Sequence, residues 1–308
     1  MTQHRLEPLR GQVVDVFDRD APPAVTVSPG DTLVVRTLDA RGYLEPQTTP
    51  GQARPQMFEP RRGHCLAGPI AVRGAEPGMT LAIHLTSIEV SNWGWTVAEG
   101  RDTAMNRRLG LVGAPASWLL WKLDSTTLTG ISHRGCRVAL APFLGVIGVP
   151  PDEPGEHPTR VPSALCGGNI DCRALVAGST LYLPVSLPGA LLCIGDGHAA
   201  QGDGEVCGSA IECGMTTRMV IDLVESPPIL TIHAVTPTQR VTLGFHEDLN
   251  EAAGQALDAM VTWMQSLYSL DRQTALAVAS PVVDLHLTQV VNGVWGVHAT
   301  LPCDLDVA

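Results

Sequence analysis

At 308 residues the chain is long enough to bury a large core, and its 44% hydrophobic content excludes extensive disorder. Acidic residues outnumber basic ones 31 to 20, a formal charge of -11, so nucleic acid and anionic membrane surfaces are excluded as expected partners.

The opening residues Met1-Thr2-Gln3-His4-Arg5 carry no apolar signal core. No stretch of the chain approaches the roughly 18 apolar residues of a membrane span, so a cytoplasmic location is expected. Short β-branched runs follow, set off by turn residues: Val25-Thr26-Val27, Thr32-Leu33-Val34-Val35 behind Gly30-Asp31, and Thr80-Leu81-Ala82-Ile83-His84-Leu85 behind Pro77-Gly78. Met219-Val220-Ile221-Asp222-Leu223-Val224 is a further such run. This pattern predicts packed or barrel-like sheets rather than alternating βαβ units. The clusters Trp93-Gly94-Trp95 and Trp118-Leu119-Leu120-Trp121 are expected in the core.

The period changes near the C-terminus. Leu249, Ala253, Ala256, Leu257, Met260, Val261, Met264 and Leu267 form the stripe of an amphipathic helix over Asp248 to Leu267. Asp248 is its expected cap, with Glu251 completing a capping box. A second helix is predicted over Asp271 to Ala279, ending before Pro281. A strand should follow, with Val283, Leu285 and Leu287 on its apolar face and Asp284, His286 and Thr288 on the other, and Asn292-Gly293 reads as a turn. The expected fold is mainly β with an α+β C-terminal part: a β-sandwich or barrel-like body with a helical pair near the C-terminus. It is read as one domain over 1–308, divisible into two packed lobes, 1–245 and 246–308.

Chemistry concentrates in Gly195-Asp196-Gly197-His198-Ala199-Ala200-Gln201-Gly202-Asp203-Gly204-Glu205. These eleven residues hold three carboxylates, one imidazole and four glycines. The pairs Asp196/His198 and Asp203/Glu205 are two apart, so in extended backbone each pair points to one side. Carboxylates so close repel unless a cation neutralises them. Asp, Glu and His are ligands of hard or borderline divalent metals, whereas a solvated surface loop would leave the apolar flanks Leu191–Ile194 and Val206–Ile211 unexplained. Gly167-Gly168-Asn169-Ile170-Asp171 offers a second carboxylate and a carboxamide, or simply an Asx turn. His64 stands at a strand entrance, where a structural role is the commoner one. His286 with Asp284 could orient a ligand from behind, and His84, His133, His157, His233 and His298 have no such context.

Other routes to bond cleavage are disfavoured. The chain has a single lysine, Lys122, in an apolar run, and no GxSxG elbow. Its eight cysteines form no paired metal motif, and none has a base or oxyanion signature beside it.

The stretch from Gly167 to Glu212, with its GDGHAAQGDGE string, resembles the acetamidase/formamidase family. So do His64–Ala75, Phe143–Val149 and Asp284–His298. The resemblance implies a β-rich amidohydrolase of formamide, acetamide or similar small amides. It implies a divalent metal near the acidic cluster, zinc as first choice and calcium as alternative, and assembly as a homodimer or higher homo-oligomer. Asp171, Asp196, His198 and His64 stand at matching positions and are the expected metal ligands. Glu205 is the expected general base and acid, Asp203 a ligand or supporting carboxylate, and Asn169 a binder of the substrate amide. Arg173, Arg36 and Cys65-Leu66-Ala67 depart from the family pattern and bear on substrate choice. The alternative from another class is a non-catalytic β-rich binding protein stabilised by calcium, against which the imidazole of His198 counts.

Overall fold

A computed structural model of the chain describes residues 2–307. Two large sheets face each other. The first has nine strands in the order Gln3–Leu6, Thr32–Thr37, Met215–Val224, Thr80–Val90, Thr180–Pro184, His233–Val235, Gln239–His246, Trp295–Pro302 and Asp284–Gln289. The second has eleven, along the path Arg137–Ala139, Thr129–Ser132, Ser117–Asp124, Trp93–Ala98, Glu212–Cys213, Leu192–His198, Phe143–Gly148 and Gly167–Asn169. Leu66–Val72 branches from Leu192–His198 and carries Val13–Val14 and Val25–Val27. Neither sheet closes, so of the two expected body shapes the packed one forms and the barrel does not.

The strands of the first sheet follow the period-two rule. Met215–Val224 runs antiparallel to Thr80–Val90 over ten register positions, and its residues alternate between buried and exposed. Leu33, Val35, Leu81, Ile83 and Leu85 of this sheet join Ile70, Leu144, Ile147 and Ile194 of the second in one buried cluster. Removing that apolar area from water is the main favourable contribution to the pairing of the sheets.

Both predicted helices form, as Leu249–Tyr268 and Arg272–Ala279. The Asp248 carboxylate accepts from the amides of Asn250 and Glu251 at 2.7 and 3.3 Å. The reciprocal arm of the capping box is replaced, because the Asp248 amide donates to His246 Nδ1 at 2.9 Å. Ala252, Ala256, Met260 and Met264 pack on Val297, Ala299 and Leu301 of the first sheet, so the C-terminal strands extend that sheet while the helices cover it.

One strand is turned relative to expectation. In Asp284–Gln289 the predicted apolar face is the open one: Leu285 and Leu287 are 49% and 43% exposed, while Thr288 is buried. The register sets Leu285 and Leu287 beside Ala299 and Val297, on the helix side. Position in the sheet explains the inversion: the long helix packs on Gln239–His246 and Trp295–Pro302, and this edge strand lies past its reach.

The second sheet forks where the chemistry lies. The first half of Leu192–His198 pairs with Leu66–Val72, and Gly195 faces Leu66. Its last two residues pair instead with Glu212–Cys213, as Gly197↔Cys213 and His198↔Glu212. Asp196 falls at the changeover, and Phe143–Gly148 pairs in one register on either side of it along the opposite edge.

Candidate active site

The Gly-Asp-Gly-His spacing works as an alternation in this fork. Gly197 lies against the neighbouring strand so closely that an added Cβ would stand 2.6 Å from the Cys213 carbonyl. Asp196 and His198 project to the other side. Under them Gly145 makes the floor: a Cβ there would be 2.6 Å from Asp171 Oδ1, 2.7 Å from Asp196 Oδ2 and 2.8 Å from His198 Cε1. The Gly145 carbonyl accepts from the amides of Ile170 and Asp171 at 2.9 and 3.1 Å, which brings the second acidic segment onto the same floor.

His198 is the hub. Its Nδ1 is 2.8 Å from Gln201 Oε1 and 3.6 Å from Asp171 Oδ1, and its Nε2 is 3.5 Å from Asp196 Oδ1 and 3.4 Å from Glu212 Oε2. Gln201 passes the support on, donating Nε2 to the Asp171 carbonyl at 2.8 Å. His64 Nε2 stands 3.9 Å from Asp196 Oδ2, and its ring is held from behind by Thr159 Oγ1, 2.9 Å from Nδ1. Asn292 donates to Asp171 Oδ2 at 2.5 Å and to the Asn169 carbonyl at 3.0 Å. Ligand atoms of Asp171, His198 and Glu205 lie within 4.8 Å of one another, as do those of Asp196, His198 and Glu212. Three of these carboxylates sit on left-handed backbone: Asp171, Asp196 and Glu205, at φ of 50, 56 and 45°. Such conformations cost of order 1–3 kcal/mol each and persist where the surroundings impose them.

Charge is crowded in this buried space. Burial pushes Asp171 up to about 6, against the pull of His198. Glu212 is raised to about 7, again by burial first. Glu205 is driven well above the carboxylate range by burial and by Asp171 beside it. For Asp196 burial is outweighed by His64 and His198, which hold it below that range. Burial would lower His198, but Glu212 and Asp196 raise it well above an ordinary imidazole. His64 goes the other way, because its burial exceeds the attraction of Asp196.

Five buried polar atoms here have no hydrogen-bond partner: Asn169 Oδ1, Asp171 Oδ1, Asp196 Oδ1, His198 Nε2 and Glu212 Oε2. Leaving one such atom unsatisfied costs about 1–3 kcal/mol and more for a charged group, and the three carboxylate oxygens among them lie within 3.6 Å of the His198 ring nitrogens, an arrangement that suits a cation. Carboxylate oxygens and imidazole nitrogens are together a donor set that a divalent metal can use.

The sequence-predicted residues Asp171, Asp196, His198, His64, Glu205 and Asn169 are brought together. Asp203 is not. The chain turns between Asp203 and Glu205, where the Gly204 amide donates to the Thr288 carbonyl at 3.1 Å and its carbonyl accepts from Val290 at 3.0 Å. The two carboxylates therefore diverge, contrary to the extended spacing read from sequence. Asp203 instead meets His286, 3.5 Å from Nδ1, in a partly exposed group with His298. That contact replaces the expected Asp284–His286 partnership, and His298, read as structural, stacks on His286 at 4.8 Å.

Glu212, Gly145, Gln201, Asn292 and Thr159 escaped the sequence reading. Glu212 closes the quoted family segment, yet only its pairing with His198 reveals its place. Buried thiols are protonated bystanders, Cys65, Cys172 and Cys193 each being pushed up to about 12 by burial. A cavity of about 910 Å³ opens above the cluster, with His64, Asn169, Asp196, Glu205 and Glu212 on its floor. Trp95, expected in the core, is indeed buried and also walls this cavity.

The Acetamidase/Formamidase family model matches residues 7–157 and 155–306 of the chain. The chain is 24% identical to a formamidase of Methylophilus methylotrophus, over 92% of this chain and 86% of that protein. It is 28% identical to an acetamidase of Mycolicibacterium smegmatis, over 70% of this chain and 68% of the relative. The crystal structure of an acetamidase from Bacillus halodurans superposes with a TM-score of 0.85 at 27% identity, covering 97% of each chain. With the family matched across nearly its whole length and the acidic fork in place, this chain belongs to the acetamidase/formamidase family and is an amidase, cleaving carbon–nitrogen bonds other than peptide bonds.

Proposed function

We propose that the enzyme converts a small aliphatic amide of the formamide or acetamide kind to carboxylate and ammonia, with one divalent cation, zinc by preference, in the fork. The orphaned carboxylate oxygens of Asp171, Asp196 and Glu212, gathered 3.4–3.6 Å from the His198 ring nitrogens, carry this reading. Asp171, Asp196 and His198 would hold the cation, with His64 and Glu212 completing the set. Bound there, it supplies Lewis acidity and a water acidic enough to react near neutral pH.

The chain's own residues do the rest. Asn169 presents a carboxamide to the substrate amide, its oxygen toward the NH2 group. Glu205, whose affinity for a proton is raised by burial and Asp171, takes a proton from the attacking water as the new C–O bond forms. It returns that proton to the nitrogen as the C–N bond breaks and ammonia leaves. Gln201 and Asn292 fix His198 and Asp171 so that neither must reorganise during reaction. Assembly as a homodimer or higher homo-oligomer and a cytoplasmic setting belong to the same reading.

The test is ammonia release from formamide, acetamide and longer amides before and after dialysis against a strong chelator, with elemental analysis alongside. Activity should vanish and return with Zn²⁺. Full turnover by metal-free enzyme would remove the metal from the proposal, and silence towards every small amide would remove the substrate.

A further inference from the structure

The cavity is far too large for the substrates just proposed. Acetamide has four heavy atoms, whereas about 910 Å³ lies near the top of the range that accommodates drug-sized ligands. Its walls are also the wrong charge for a neutral guest. Five of the chain's 19 arginines line it, Arg41, Arg61, Arg101, Arg108 and Arg160, in a protein with a formal charge of -11.

The protein neutralises these arginines only in part. Arg41 and Arg101 share one carboxylate, Glu99, with Arg41 at 2.7 Å and its guanidinium stacked 4.9 Å from the Trp95 ring. Arg61, Arg108 and Arg160 have no carboxylate within 4.0 Å among the described residues. Arg61 is half-buried, and its guanidinium is seen donating to the Gly63 carbonyl at 2.9 Å. Burial lowers its pKa, and the positive charges of Arg160 and Arg41 lower it further. Arg61 and Arg160 line the same cavity as His64, Asp196 and Glu205, which places both beside the acidic cluster. Two guanidinium groups held near each other without an anion favour one arriving from outside, and the planar fork of arginine matches a carboxylate.

We infer that the preferred substrate is an amide carrying a carboxylate at its far end, gripped by Arg61 and Arg160 while the amide lies over Asp196 and Glu205. The acids on the floor repel the substrate carboxylate, so the amide end enters first and the orientation is set by charge. This inference rests on the hydrolase reading above for the chemistry and deepens it by naming the substrate class.

The experiment compares kcat/KM for butyramide with succinamate and glutaramate, using zinc-loaded enzyme of measured metal content. The carboxylated amides should win by at least tenfold, with an advantage that shrinks as salt rises. In R61Q/R160Q the ratio should fall towards one, chiefly through KM, and R61K should keep part of it because charge survives without the fork. Equal or better use of butyramide by the wild type overturns the inference, as does a preference untouched by R61Q/R160Q. If no amide is turned over, the hydrolase reading fails and calorimetry decides the arginine site separately. Succinate binding that is lost in R61Q/R160Q supports it, and no succinate binding to the wild type overturns it.

Discussion

The ladder between Thr80–Val90 and Met215–Val224 and the fork around Leu192–His198 are built from the same kind of backbone, yet they handle polarity in opposite ways. In the ladder each strand turns its charged side chains to one face and most of its large apolar ones to the other. In the fork every residue from Leu192 to His198 is buried, with a carboxylate and an imidazole among them. Apart from the Thr217 hydroxyl, the ladder's interior is closed by packing. The fork gathers several unsatisfied groups, with left-handed carboxylates beside it. Stability and chemistry are thus drawn from different strands of one molecule, and mutations should separate them.

The widest separation is expected inside the fork. His198→Ala deletes the hub and should empty the site of metal, taking ammonia release with it. Glu205→Gln should keep metal bound and lose rate by about 10²–10⁴, the scale of removing general acid–base catalysis. Metal per chain and turnover, measured for both, decide the roles. A fully active Glu205→Gln, or one that empties the site while His198→Ala does not, would reassign them.

The ladder should answer in stability. Ile83 is fully buried between the sheets, and Ile83→Ala should cost about 2–5 kcal/mol in urea unfolding through lost transfer energy and the cavity left behind. Its metal content per folded chain should match the wild type. Metal loss in a folded Ile83→Ala would mean that fork and ladder are mechanically coupled.

A smaller effect sharpens the contrast from the first sheet's side. His233, stacked 4.7 Å from Tyr182, has its pKa lowered by burial to about 4. The folded state therefore prefers the neutral ring. Its contribution is complete above the unfolded value near 6.5, falls as pH drops towards 4, and is level below that. The loss at pH 5 should be about 2 kcal/mol. Urea midpoints at pH 7 and pH 5 should converge for His233→Gln relative to wild type, and parallel curves would show that His233 is not a source of the acid loss.

Much of the fold was legible before any coordinates. The helix from Asp248 onward announced itself through a 3.6-residue stripe and a capping carboxylate, both local properties of the chain. The run Met219–Val224 read as strand for the same reason. The open face of Leu285 and Leu287 was not legible, since alternation tells that a strand has two faces but not which neighbour stops short of it. Within the site, the dense GDGHAAQGDGE string pointed to Asp196, His198 and Glu205 because glycine and acid crowd there. Glu212 lies in a plain apolar context and could be found only through its pairing with His198.

The sequence alone therefore sufficed for the β-rich class, the helical pair, the family and most of the acidic cluster, all of which rest on local spacing or on a contiguous motif. Which carboxylates meet was settled by long-range pairing. A turn at Gly204 sends Asp203 towards His286 and Glu205 towards Asp171, and a change of strand partner at Asp196 opens the fork. The arginines of the cavity belong to the same class of fact: Arg41, Arg61, Arg101 and Arg160 are scattered along the chain and become a single patch only when the sheets pack, because charge acts through space and not along sequence.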